Sequence, residues 1–162
     1  MKGVRYILSL FAMLLFVASC QDLYYMPFKE SDKGMGTAAF YLDGNPYRTS
    51  SSYKASGNGS ETSCGISFKC LSETHGLGSY SVSINIQTAE NSPIQCDYEY
   101  TISAEQDIPY VSIAINGYQV VDGYVKFRKY ESVISGNFEL SYVDDNGARH
   151  SVKYGTFDVL NL

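Results

Sequence analysis

The chain has no tryptophan, only two histidines and only four cysteines among its 162 residues. His75 and His150 stand far apart, and no Cys-x-x-Cys pair or clustered His set supplies the closely spaced donors of a metal centre. There is no Gly-x-Ser-x-Gly elbow to lift a serine out of a strand-to-helix turn, so the serines of Thr49-Ser50-Ser51-Ser52 carry no nucleophile signal. Gly57-Asn58-Gly59 leads into a strand pattern, where a phosphate-binding loop would open a helix, and reads as a flexible loop. Asp144-Asp145-Asn146-Gly147 lacks the alternating ligands and distant glutamate of a calcium loop and reads as a hairpin turn. No catalytic residue, cofactor-binding residue or metal ligand is assigned on these grounds. Long basic blocks are missing too: Lys126, Arg128 and Lys129 stand among acidic neighbours, and the formal charge is −5. A nucleic-acid partner draws its affinity from clustered Lys and Arg, so this composition argues against one.

The chain also lacks an apolar run long enough to cross a bilayer as a helix. Its one sustained run, Ile7 to Val17, follows Lys2 and Arg5 and suits the central region of a signal peptide. The run ends in Val17-Ala18-Ser19-Cys20, which resembles the lipobox of bacterial lipoproteins. That resemblance implies cleavage between Ser19 and Cys20 and a diacylglycerol on the Cys20 thiol. The residue types suit the chemistry, because small side chains at Ala18 and Ser19 let a protease approach the backbone and a thiol is the strong nucleophile. Each buried methylene of an acyl chain contributes about 0.8 kcal/mol, and two or more chains give durable attachment. An ordinary secretory signal with an incidental Cys20 is the alternative. The expected organisation is a signal peptide over 1–19, a lipidated cysteine and tether over 20–35, and one domain over 36–162. Loss of Lys2 and Arg5 with the leader leaves the mature chain two units more negative.

Past residue 35 apolar and polar side chains alternate, which is the pattern of a strand with one buried face. The clearest runs put Tyr80, Val82, Ile84 and Ile86 on one face, then Cys96, Tyr98, Tyr100 and Ile102, then Ile134, Gly136, Phe138, Leu140 and Tyr142. Asp43-Gly44, Asn116-Gly117, Asp122-Gly123 and Asn146-Gly147 are turn signals, since Gly and Asn accept the positive φ of tight hairpins. No helical apolar stripe of useful length follows the leader. The expected fold is all-β, an antiparallel β-sandwich, with a small β-barrel as the alternative.

Two hairpins carry a further likeness. Ala39-Phe40-Tyr41-Leu42-Asp43-Gly44-Asn45-Pro46-Tyr47 and the closing Val133-Ile134-Ser135-Gly136-Asn137-Phe138-Glu139-Leu140, with Asp145-Asn146-Gly147 and Gly155-Thr156-Phe157-Asp158-Val159, are similar to the opening and closing hairpins of small Bacteroidetes-type lipoproteins of unknown function. The resemblance implies a β-sandwich-like domain held by lipid in the cell envelope, at the outer membrane, with the periplasmic or surface face left open. It implies no activity.

With Cys20 lipidated, three thiols remain. Cys64 and Cys70 share a strand face with Ile66 and Phe68 and stand about 20 Å apart, too far to bond, so any disulfide must use Cys96. Burial of all three as small core residues is equally open. By parity Tyr80, Tyr98, Tyr100 and Tyr142 are expected in the core, whereas Tyr118, Tyr124 and Tyr130 are undetermined; both histidines are expected to be exposed. The favoured reading is a non-enzymatic, membrane-attached envelope protein that binds a protein or glycan. A periplasmic hydrolase inhibitor using loop 72–79 is the alternative. A glycan-acting enzyme using two of the 17 acidic residues ranks below both.

Overall fold

The structure is a computed structural model that describes residues 27–102 and 108–162. The expected signal peptide over 1–19, the Ser19 and Cys20 pair, and residues 21–26 lie outside the described residues. Within them the chain forms ten strands and no helix: β1 Thr37–Leu42, β2 Asn45–Arg48, β3 Ser56–Gly59, β4 Ser63–Ser72, β5 Ser79–Gln87, β6 Glu99–Thr101, β7 Tyr110–Ile115, β8 Tyr118–Tyr130, β9 Val133–Val143 and β10 Arg149–Leu160. The alternation read from the sequence is the alternation of burial. Cys64, Ile66, Phe68 and Cys70 of β4 all point inward, as do Val82, Ile84 and Ile86 of β5 and Ile134, Phe138, Leu140 and Tyr142 of β9. Each such side chain contributes about 1.5–3 kcal/mol on leaving water.

The strands pair antiparallel in the order β2-β1-β10-β9-β8-β7-β5-β4-β3, with β6 on the free side of β8. Pairing is broad along β8, β9, β10 and β1 and again along β5, β4 and β3. It narrows to two residue pairs at β7–β8, and β2 and β4 likewise meet over two pairs, Tyr47 with Ser72 and Arg48 with Leu71. These narrow seams fold the sheet over on itself into two leaves, β6-β8-β9-β10-β1-β2 and β7-β5-β4-β3. Their apolar faces meet in one core, where Phe68 of the second leaf lies 6.5 Å from Phe40 and 5.7 Å from Phe138 of the first, ring centre to ring centre. The architecture is sandwich-like.

Three of the four expected turns are hairpin turns. Asp43 and Gly44 both have positive φ, 47° and 86°, as do Asn116 and Gly117, 49° and 89°, which is the geometry that matches the twist of flanking strands. Asn146-Gly147 lies in the β9–β10 connection, where the Asp144 carboxylate accepts the N–H groups of Asn146 and Ala148. Asp122-Gly123 is different. It lies inside β8, just past a bulge in which Val121 is the extra residue, so the pair bends a strand and does not end one. A Cβ on Gly123 would lie 2.6 Å from the Leu140 Cα of the neighbouring strand, so close approach of backbones explains the glycine.

Parity fails at Tyr98, which is half exposed, and at Cys96, which is exposed, although Tyr100 and Ile102 are buried as expected. Asp97 between them sits at φ 61°, and one left-handed residue cancels the extended alternation on which the parity argument depends. Tyr142 is buried, while Tyr80 is partly buried and packs against the core. All three described cysteines are free, so Cys96 forms no disulfide.

Residues 27–35, the later part of the segment read as a tether, lie across the outer face of the β8-β9-β10-β1 leaf as a strap. Phe28 is buried, stacked 4.7 Å from Tyr41 with the Arg48 guanidinium 4.7 Å from its ring centre. Glu30 and Asp32 both pair with Arg128, at 3.4 and 3.1 Å. Gly34 and Met35 donate their N–H groups to the Asp158 carboxylate at 2.7 and 3.0 Å. The strap explains why Ser135, Thr156 and Asp158 are buried although they sit on the outward side of their strands.

Candidate functional site

The same outer face carries a groove. One part, about 640 Å³, is lined by Glu99, Thr101, Asp122, Tyr124, Glu139 and Arg149, among others. It runs over Glu99, Tyr124 and Glu139 into a second part of about 450 Å³, which reaches Lys126, Tyr154 and the strap at Pro27, Phe28 and Glu30. Both volumes lie in the range of small-molecule sites. Strand register builds the groove: Thr101 of β6 pairs with Tyr124 of β8, which pairs with Glu139 of β9. One step along, Glu99 pairs with Lys126, Lys126 with Asn137, and Asn137 with Thr156 of β10. Polar alternates of four strands are thus gathered into rows on one surface.

The charges there are largely paired. Lys126 meets Asp97 at 3.6 Å, Arg149 meets Asp122 at 3.6 Å, and Arg128 is taken up by the strap. Arg149 also donates to the Ser141 hydroxyl at 2.8 Å, and Glu139 accepts the Tyr154 N–H at 3.4 Å. The Tyr124 phenol titrates higher than usual, first because of burial and then because Glu139 and Glu99 lie close. The Glu99 and Glu139 carboxylates at the centre, Tyr124 and Tyr154, and a rim of ion pairs with Lys153 beside them form a surface of hydrogen-bond acceptors next to aromatic area.

His150 borders the groove, with its ring on the inward side of β10. It is three-quarters buried and stacks 4.9 Å from Tyr142, which in turn stacks 5.6 Å from Tyr118. Its Nδ1 lies 2.6 Å from Asp43 and its Nε2 3.5 Å from Asp144, and its pKa is raised, first by the Asp43 hydrogen bond. Both ring nitrogens face carboxylates, so neither is left to serve a substrate, and His150 pins the β1–β2 turn to the β9–β10 turn. This corrects the expectation of an exposed histidine; His75 is exposed in the β4–β5 loop. Tyr118 hydrogen-bonds Asp145 at 3.1 Å, and Tyr130 donates to the carbonyls of Ser60 and Ser63, so both are structural.

Of the residues singled out in the sequence, Ser19 and Cys20 lie outside the described residues. Among the described residues no cluster of three or more His, Cys, Asp or Glu could hold a metal ion, and no helix is long and apolar enough to cross a membrane. Of the residues that line the groove, Glu99, Glu139 and Tyr154 carry no sequence assignment and Tyr124 is undetermined there. Their signal in the sequence is only that of solvent-side alternates, and nothing in one strand says which neighbours will lie beside it. No family model, no curated protein and no solved structure matches the chain.

Proposed function

We propose that this chain is a lipid-anchored cell-envelope protein, not an enzyme, that binds a glycan in the groove over Glu99, Tyr124 and Glu139. The groove itself carries the reading. Sugar hydroxyls donate to carboxylates, and sugar ring faces pack on tyrosine, which joins apolar area to a polar tip. The lipobox-like Val17-Ala18-Ser19-Cys20 supports the anchor. Titration of the soluble domain with a panel of neutral and acidic oligosaccharides tests the binding reading. Tyr124→Ala and Glu139→Gln are each expected to weaken binding about tenfold, the equivalent of about 1.4 kcal/mol. Failure of the whole panel would overturn it, and cleavage of a bound sugar would make the chain an enzyme. The anchor has its own test: Cys20→Ser should leave a soluble or uncleaved product in cells, and unchanged membrane retention would refute it.

A second reading rests on the loop between β4 and β5. Leu77 at its tip is 43% exposed, and Glu73 at its base is held by Arg48 at 2.6 Å, so an apolar side chain is presented from a fastened loop. This is the arrangement a hydrolase inhibitor needs. Inhibition of a lysozyme or protease that disappears in Leu77→Asp would favour it.

A further inference from the structure

The strap fixes where the chain leaves the domain, and that point lies on the groove. Phe28 is clamped between Tyr41 and Arg48, and contacts to Arg128, Ser135 and Asp158 hold the next seven residues. Pro27, at the start of the strap, is itself part of the groove wall. From Cys20 to Pro27 is seven residues, which span at most about 25 Å fully extended. Two packed sheets lie about 10 Å apart, so with outward side chains the sandwich is roughly 20 Å thick. With strands about 4.8 Å apart, an edge of the leaf lies about two strands, roughly 10 Å, from the groove, so a path round it and through that thickness to the opposite face is roughly 30 Å. Seven residues cannot cover it.

We infer that, with the acyl chains on Cys20 in a bilayer, the groove face is turned toward that bilayer and takes the neutral glycan headgroup of a lipid in the same leaflet. The inference rests on the anchor and on the glycan reading proposed above. Charge decides for a neutral sugar over a phosphate headgroup. Lys126, Arg128 and Arg149 are already matched to Asp97, Asp32 and Asp122; among the described residues Lys153 is the one lining cation outside these pairs, and Glu99 and Glu139 outnumber it, repelling an anion while accepting from hydroxyls. The opposite leaf offers a contrasting surface of Ser67, Ser83, Asn58 and Asn85 around Gly65, bordered by Leu162 and away from Pro27, where the segment carrying Cys20 joins the domain.

The experiment places a photocrosslinking residue, p-benzoylphenylalanine, at Lys153 on the groove face or at Asn85 on the opposite leaf of the full acylated chain. Each protein is reconstituted in phosphatidylethanolamine vesicles with or without monogalactosyldiacylglycerol. Crosslinking to lipid is expected to be at least fivefold stronger from position 153 than from 85. Twenty Gly/Ser residues inserted after Asp22 should erase that difference. Galactolipid should raise labelling at 153, and Glu139→Gln should cancel the rise. Equal labelling from both faces with the native tether overturns the orientation, and galactolipid without effect overturns the occupant. Absence of acylation in Cys20-containing protein would instead bring down the anchor, and with it this inference. Binding of soluble sugar without any effect of galactolipid would spare the glycan reading alone.

Discussion

His150 joins two turns through charge, so its contribution depends on pH. Its pKa is raised above the ordinary 6.5 by Asp43, and that of Asp144 is lowered below 3.8, first by the Ala148 N–H. A raised histidine adds stability that is fully present below pH 6.5 and is lost as pH rises through its folded value. A lowered carboxylate adds stability that is present above its unfolded value and is lost as pH falls through the folded one. The pin is therefore strongest between about pH 4 and 6.5. Thermal melts should show a falling midpoint from pH 6 to 9, and His150→Gln should flatten that slope. An unchanged slope would mean the pin is mechanically idle. The thiols offer a second test at this scale. Burial pushes Cys64 and Cys70 up to about 12, whereas Cys96 is exposed. In the folded domain only Cys96 should react with maleimide, and the other two should follow only on unfolding; mass spectrometry counts the adducts.

At the scale of elements, β9 and β10 pack so closely that two glycines admit no side chain. A Cβ on Gly155 would come within 2.6 Å of both the ring and the carbonyl of Phe138, and one on Gly136 would meet the Lys126 carbonyl and the Phe157 ring. Gly136→Ala should destabilise the domain by about 1–3 kcal/mol, read from urea midpoints. The strap makes a different prediction. Asp158→Ala leaves two N–H groups without their acceptor, a loss of about 1–3 kcal/mol if they stay buried. The strap has an escape, because it can lift into water. Hydrogen exchange over residues 27–35 should quicken in Asp158→Ala while β4 and β5 keep their protection. Uniform loss of protection would show that the strap is part of the core and not a detachable layer.

At the scale of the molecule, the two leaves have unlike outer faces. One is rich in serine and asparagine around a shallow depression of about 450 Å³, and the other holds the groove and the strap. Removal of the strap by truncation to residue 36 should therefore alter ligand binding in the groove, since Pro27, Phe28 and Glu30 form part of its wall. It should also lower stability, because Ser135 would lose the Asp32 carboxylate and Asp158 the N–H groups of Gly34 and Met35.

The all-β class, the antiparallel pairing and the inward sets of β4, β5 and β9 were legible in the sequence, because a strand with one buried face repeats every two residues and a tight turn needs positive φ. Asp43-Gly44 and Asn116-Gly117 could be read for that reason, and the leader with its Cys20 signature could be read as an expected address. Tyr98 and Asp122-Gly123 were misread, since a left-handed Asp97 and a bulge at Val121 break the local rule without changing composition. The groove was beyond a linear reading altogether. Glu99, Tyr124, Glu139 and Tyr154 come from β6, β8, β9 and β10, and each is by itself an ordinary solvent-side residue. Only strand order and register, set by how two sheets bury their apolar faces together, place them on one surface beside the strap.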